Sequence, residues 1–187
     1  MLKTQTLALP GAQVIDLPAF SDNRGWFVKT FNDDQFRELG ISFGLKESYF
    51  SVSAKDVIRG MHFQTPPHQH AKIVFCPFGA ILDVIVDLRK GSPTYGQYFA
   101  QELSAENHKA YYIPEGFAHG FKSLTEGAMT YYLVSSGYSQ LHDTGIIYDS
   151  IGFDWQLDTP IISARDLSFP TLAAFDSPFV FTSAAKP

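Results

Sequence analysis

A single cysteine, Cys76, leaves the chain no means of forming an intrachain disulfide, which suits a reducing compartment. It sits in the apolar run Ile73-Val74-Phe75-Cys76, the setting of a packed core thiol rather than a nucleophile. Positive charge is scarce as well. Fourteen Lys and Arg against nineteen Asp and Glu give a formal net charge of -5, with no basic block anywhere. That balance excludes a surface built to wrap nucleic acid, although a few converging Arg and Lys can still hold a small anion. No apolar stretch reaches the roughly 20 residues that a membrane-spanning helix needs. Residues 1–10 carry one Lys and no long apolar segment, so they do not read as a signal peptide, and a cytoplasmic protein is expected. Internal repeats, low-complexity linkers and shifts of composition are also missing. The expectation is one domain over residues 1–187, a length that suffices for a full core.

Aromatic residues, by contrast, are plentiful. Seventeen Phe and nine Tyr suit pleated, half-buried strands better than surface helices. Val14-Ile15-Asp16-Leu17 reads as a short strand, followed by a turn at Ser21 to Gly25 and an extended stretch from Trp26 to Phe31. Asn32 can cap one short helix, Asp33 to Leu39, which has acidic residues in its first turn and Gly40 at its end. Extended segments then follow near 46–53, 57–64, 72–76, 80–88, 97–103, 109–113, 117–123, 128–135 and 144–148. Turn chemistry separates several of them, as in Pro77-Phe78-Gly79 and Thr125-Glu126-Gly127. So many short strands predict an all-β sandwich or barrel. Ile81 to Leu88 is apolar apart from Asp83 and Asp87, which places it deep in a sheet with those carboxylates paired or at its margins. After Asp149 the pattern is less regular, and Thr182 to Pro187 reads as a frayed end.

Of six histidines, His108 and His142 lie in polar turns and receive no role. His62 stands out because it lies in an otherwise apolar strand, where an imidazole without a partner is costly. Arg59 shares that strand. By the period-two rule it points away from His62's face unless Gly60 marks a bulge. Lys72 opens the next strand, and Pro114 to Phe121 is a tight turn feeding a strand that carries His119. Tyr131 and Tyr132 must point to opposite faces of theirs, so one is core and the other can face a cavity.

Six motifs in fixed order then make a pattern. They are Asp22-Asn23-Arg24-Gly25-Trp26-Phe27, Ile58 to Gln64, Asp83 to Arg89 with Gly91 to Gly96, Leu103 to Asn107, Ile113 to Phe121, and Ser163-Ala164-Arg165-Asp166. Together, from about Phe20 to about Leu172, the chain resembles the dTDP-4-dehydrorhamnose 3,5-epimerase family. The resemblance implies a jelly-roll, cupin-type β-barrel with a few short helices, usually a homodimer. It implies an isomerase of deoxysugar biosynthesis that acts on a nucleotide-diphosphate sugar with a ketone at C4 and uses no metal or other cofactor. His62 would be the base, Asp166 its carboxylate partner, and Tyr132 the acid on the opposite face. Lys72 would stabilise charge on the C4 oxygen. Arg59 and Arg24 would hold the diphosphate, Arg24 from the neighbouring subunit. His119, Glu47, Tyr49, Tyr138, Asp143 and Arg165 complete the expected substrate-binding set.

The chain departs from the family's usual pattern where substrate should lie. Glu47-Ser48-Tyr49-Phe50-Ser51 stands in place of Gln-x-Asn-x-Ser, Lys29 in place of a glutamate, Leu133 in place of a lysine, Asp143 or Thr144 in place of a glutamate, and Arg165 in place of a lysine. These changes point to another nucleotide or sugar, or to inversion at only C3 or only C5, because buried polar groups discriminate strongly between ligands. Two rival readings remain. One is a metal-dependent cupin using His68-x-His70 and His119, against which stands Lys72, whose ammonium would repel a dication. The other is a non-catalytic sugar-nucleotide-binding jelly roll, which has no need of an acid and a base on opposite faces.

Overall fold

The computed structural model describes residues 2–182, so the frayed end expected over Thr182–Pro187 lies, apart from Thr182, outside the described residues. Thirteen strands and two short helices occur in the order β1 (Lys3–Thr6), β2 (Gln13–Asp16), β3 (Ala19–Asp22), β4 (Gly25–Val28), α1 (Asp33–Glu38), β5 (Glu47–Ser53), β6 (Ile58–Gln64), β7 (Lys72–Phe78), β8 (Ala80–Asp87), β9 (Tyr98–Ser104), β10 (Lys109–Ile113), β11 (Phe117–Ser123), β12 (Ala128–Val134), β13 (Asp143–Gly145) and α2 (Ala164–Leu167). A six-stranded sheet, β1-β2-β10-β7-β12-β5, faces a five-stranded sheet, β13-β6-β11-β8-β9. Neighbouring strands in both are antiparallel. This is the all-β jelly roll that the strand-rich sequence and the family resemblance predict.

Alternation along the strands builds three apolar layers. Val74, Ile81, Ile85, Tyr111, Phe121 and Val134 interdigitate between the sheets. Behind the six-stranded sheet, Ile73, Phe75 and Leu133 pack against α1 through Phe36. Behind the five-stranded sheet, Val84, Val86 and Ala118 are covered by the irregular tail through Ile151, Trp155 and Phe179. Strand β8 is therefore buried on both faces, as its nearly continuous apolar run requires. Its two carboxylates are paired: Asp83 with His119 at 2.7 Å and Asp87 with Arg89 at 2.7 Å. Cys76 is a packed thiol, 3% exposed, and burial pushes its pKa up to about 11.

Boundaries differ from expectation at several places. Helix α1 stops at Glu38, with Asn32 Oδ1 accepting from the Gln35 N–H as its cap. The extended stretch from Trp26 ends at Val28, within a β3–β4 hairpin that pairs with neither large sheet. The strand expected over 144–148 is shorter and earlier, because Tyr148–Ile151 turns into a 3₁₀ helix. Strand β1 has four exposed residues and no alternation to announce it. Helix α2 is likewise unannounced by periodicity, and it is capped by Ser163 Oγ accepting from the Asp166 N–H.

One irregularity positions the site. In the β6–β11 pairing, His62 lies opposite His119 while Arg59 lies opposite Phe121. Three steps on β6 match two on β11, so the bulge allowed for at Gly60 is present. Gly60 has φ +141°, and a Cβ there would come within 2.5 Å of the Gly120 Cα. Only glycine fits this crossing of two backbones. Gly60→Ala should lower stability by roughly 2–4 kcal/mol, read as the urea midpoint. Gly44→Ala, where an added Cβ meets nothing within 4 Å, should stay within about 0.5 kcal/mol of the parent. Equal effects at the two positions would contradict the crossing as the cause.

Candidate active site

At one end of the sandwich the two sheets part around a cleft of about 370 Å³, a size that suits a small ligand. His62 on β6 and His119 on β11 reach it from the five-stranded sheet; Tyr49 on β5, Lys72 on β7 and Tyr132 on β12 reach it from the six-stranded one. Arg59, Glu47, Tyr138, Asp143 and Arg165 also line it. The bulge at Gly60 is what lets Arg59 share this cleft with His62 in spite of the period-two rule. Two expected residues do not line the cleft, Asp166 and Arg24, and of these only Arg24 lies away from the site. It sits at the tip of the β3–β4 hairpin, paired with Asp22 and largely exposed, and it does not line the cleft of its own chain.

Asp166 lies behind His62 rather than in the cleft wall. Its Oδ1 meets His62 Nε2 at 2.8 Å, and its Oδ2 accepts from the Gly60 N–H at 3.1 Å. Burial works to raise the Asp166 pKa, but the hydrogen bond and charge of His62, with those of Gly60 and Ser163, outweigh it and hold the carboxyl below its usual range. An ionised carboxylate can only accept, so Nε2 carries the proton and Nδ1 of the neutral imidazole keeps the basic lone pair.

A second imidazole–carboxylate pair lies deeper. His119 Nε2 meets Asp83 Oδ2 at 2.7 Å, with both side chains almost wholly buried. Burial pushes the Asp83 carboxyl up and the His119 imidazole down. The Lys72 ammonium spans the gap between the sheets, donating to the His62 carbonyl oxygen at 3.2 Å. Burial pulls its pKa down to about 8, while Asp143 and Asp83 pull the other way. Tyr132 is 8% exposed. Burial first, then Tyr49 and the charge of Asp83, raise its pKa and keep the phenol protonated.

The rim is built from smaller pairings. Glu47 Oε2 accepts from the Tyr138 N–H at 2.8 Å, and Arg165 meets Asp143 at 2.6 Å. Arg59 donates to Ser53 Oγ at 3.0 Å and to the Val52 carbonyl at 3.4 Å, both neutral partners.

His70 is the cleft residue whose setting sequence reasoning missed, having considered it only as a metal ligand. The Gln64 Oε1 accepts from the Ser139 N–H at 2.6 Å, which turns the amide so that its Nε2 donates to His70 Nδ1 at 3.0 Å. Burial, then the charges of Lys72 and His119, push the His70 pKa down to about 3. His70 is thus a neutral imidazole with its proton on Nε2. The His68-x-His70 spacing draws attention to it, but the Ser139 that orients Gln64 comes from 75 residues away. His68 instead lies against His142, with ring centroids 4.5 Å apart and the rings tilted by 33°. Among the described residues, no group of three or more His, Cys, Asp or Glu side chains is gathered to hold a metal ion.

Comparison with known proteins finds close relatives. The family model described as dTDP-4-dehydrorhamnose 3,5-epimerase matches residues 6–174. A dTDP-4-dehydrorhamnose 3,5-epimerase of Methanothermobacter thermautotrophicus is 41% identical over 170 residues, 88% of this chain and 91% of that protein. The crystal structure of a Legionella pneumophila dTDP-6-deoxy-D-glucose-3,5-epimerase in complex with dTDP-4-keto-L-rhamnose superposes with a TM-score of 0.92 at 31% identity, covering 97% of this chain and 100% of that one. A 3'-monoepimerase of Streptomyces bikiniensis in complex with dTDP-quinovose superposes with a TM-score of 0.84 at 36% identity, covering 89% and 86%.

The buried ammonium of Lys72 has a measurable consequence. Between about pH 8 and its ordinary 10.5, the unfolded chain holds a proton that the folded chain has released. Stability from this group therefore rises with pH across that window. Cys76 and the buried tyrosines, whose pKa values are raised, act in the opposite sense in both proteins, so urea titrations at pH 7.5 and pH 10 should show a change in stability that is more positive in the parent than in Lys72→Met. An identical pH dependence in both would show that Lys72 is not the group responsible.

Proposed function

The chain belongs to the dTDP-4-dehydrorhamnose 3,5-epimerase family and is an isomerase, and from that premise we propose that it inverts C3, C5 or both of a nucleotide-linked 4-keto-6-deoxy sugar. The names of the relatives make a dTDP-linked sugar the first substrate to try. The observation that carries the reading is the opposition of His62 and Tyr132, which enter one cleft from facing sheets.

The C4 carbonyl acidifies the protons on its two neighbouring carbons. His62 Nδ1, held in its tautomer by Asp166, takes one of them, and the C–H electron pair passes into the carbonyl to give an enolate. The Lys72 ammonium stabilises the oxygen that gains the charge. The Tyr132 phenol then delivers its own proton to the other face of the same carbon, and the configuration is inverted. The step leaves a protonated imidazole and a phenolate, which reset by exchange with solvent. Hydrogen from water therefore enters the product at each inverted carbon. Arg59 and Arg165 on the rim would receive the diphosphate. The rim also holds the departures from the family pattern: Glu47 and Asp143 have carboxylates there, and Tyr49 has a ring. These three favour a narrowed choice of sugar or of inverted centre. The 3'-monoepimerase among the relatives makes single inversion a concrete alternative.

A homodimer belongs to the same reading. Phe20, Trp26 and Phe27 on the β3–β4 hairpin are each more than half exposed, a concentration of aromatic surface that a second copy would cover. That contact would also carry Arg24 to the other copy's cleft. Sedimentation should give twice 20.8 kDa for the parent. Trp26→Ser with Phe27→Ser should give a folded monomer with a raised KM. A monomeric parent would remove both the dimer and the role given to Arg24.

The direct test uses dTDP-4-keto-6-deoxyglucose in heavy water, with C3 and C5 followed by NMR. The parent should take up deuterium at one carbon or both. His62→Ala should lose uptake by roughly 100-fold or more, the range for removing a general base. Tyr132→Phe should keep uptake but lose inversion. Uptake that persists without His62, or none in the parent with any dTDP-, CDP- or GDP-linked 4-keto sugar, would sink the proposal. Because the scheme needs Lys72 protonated, uptake should also fall as pH rises through about 8.

A further inference from the structure

Tyr49 in β5 lies directly opposite Tyr132 in the antiparallel β5–β12 register, a pairing that puts both side chains on one face of the sheet. Their rings stack, with centroids 4.8 Å apart and planes 24° apart. A second aromatic contact holds Tyr132: the His119 ring meets it edge-on at 5.8 Å and 76°, and His119 is itself fixed by Asp83 at 2.7 Å. The two contacts differ in kind. His119 is 3% exposed in the floor of the cleft, whereas Tyr49 is 41% exposed on the edge strand of its sheet. Without Tyr49, the Tyr132 ring would have open cleft where it now has a stacked partner.

We infer that Tyr49 is a positioning residue, whose ring holds the Tyr132 phenol across the cleft from His62 and so decides how often a deprotonated sugar is inverted rather than returned to its starting form. The inference rests on the reading that His62 removes the proton and Tyr132 returns it. An enolate has two fates. A phenol in place protonates the far face and inverts the centre. A phenol that swings away leaves the proton, or the deuteron exchanged onto His62, to return to the near face. The first event gives deuterium with inversion, and the second gives deuterium with retention whenever the protonated imidazole exchanges with solvent before it returns its hydron. The ratio of inversion to uptake therefore reports where Tyr132 is. A residue that only helped the sugar bind, or only stabilised the sheet, would change both events together.

The experiment measures that ratio in heavy water with dTDP-4-keto-6-deoxyglucose for the parent, Tyr49→Leu, Tyr49→Thr and Tyr49→Phe. Two non-aromatic variants are used so that poor folding of one leaves the other to decide. Both suit a partly exposed edge strand. Each should lower inversion per uptake by roughly threefold or more, the scale of one lost aromatic contact. Tyr49→Phe keeps the ring and should restore the ratio, even where the lost hydroxyl raises KM. An unchanged ratio in Leu and Thr, with uptake and inversion falling in parallel, would overturn the inference and leave Tyr49 as a binding residue. A parent that takes up no deuterium would instead remove the proton-transfer reading itself, and this inference with it.

Discussion

Most of this molecule is a conventional apolar sandwich; its constraint is the set of ionisable groups placed between the sheets. His62, His119, Lys72, Asp83 and Asp166 all lie in or behind a cleft that their own sheets enclose. Removing such groups from water is costly unless each finds a partner. Two imidazole–carboxylate pairs, at 2.8 Å and 2.7 Å, supply most of the compensation. Lys72 is less well compensated, with one hydrogen bond to the His62 carbonyl, and its lowered pKa records the deficit. An apolar side chain there would suit the fold better. The same deficit suits an oxyanion, because an ammonium short of partners gains most when negative charge develops beside it.

The tertiary structure draws these groups from distant parts of the chain. The His62–Asp166 hydrogen bond joins positions 104 residues apart, and His119–Asp83 joins positions 36 apart. What made them legible in the sequence was chemistry at odds with its surroundings: an imidazole in an apolar strand, a lysine opening one, carboxylates inside a β-branched run. The pattern of apolar and aromatic runs broken by turn residues located the strands well, because a strand packed on both faces has few polar residues to interrupt it. It failed for β1, which is exposed throughout, and for α2, a single turn in an irregular tail. It also could not place Arg59 beside His62. That depended on a bulge, which Gly60 permits but does not by itself announce. The neutral state of His70 was illegible for a related reason, because burial and the charges of Lys72 and His119 impose it, and the tautomer is set by Gln64, itself oriented by Ser139 from 75 residues away.

One of the recurring motifs turns out to serve the scaffold instead of the cleft. In Asp87-Leu88-Arg89 with Ser92 and Thr94, the buried Asp87 accepts from Arg89 at 2.7 Å, Ser92 Oγ at 2.6 Å and Thr94 Oγ1 at 2.8 Å. Burial alone would raise the Asp87 pKa, and these hydrogen bonds bring it below its usual range instead. The guanidinium of Arg89 also lies over the Phe117 ring at 4.3 Å. Resemblance at such a segment reports a shared turn, and it carries less about substrate than the altered positions at the rim.

The four arginines under discussion differ in what their charge already meets, and that difference sorts them by readiness for a diphosphate. Arg89 is committed: its side chain is 12% exposed, and its partner Asp87 is fully buried, so a phosphate would have to displace a carboxylate that water cannot reach. Arg165 is paired with Asp143, but the Arg165 side chain is 48% exposed and the carboxylate is only partly buried, so exchanging it for another anion costs less than at Arg89. Arg24 has the same freedom with Asp22 at the hairpin tip, provided that a second copy brings it to a cleft. Arg59 alone meets only neutral oxygens, from Ser53 and Val52. Those contacts orient the guanidinium without neutralising it, leaving a fixed positive charge in the cleft wall shared with His62. A diphosphate drawn to that charge would bring its sugar beside the imidazole, so anion binding and proton abstraction both depend on the extra residue that the β6 bulge inserts between Arg59 and His62.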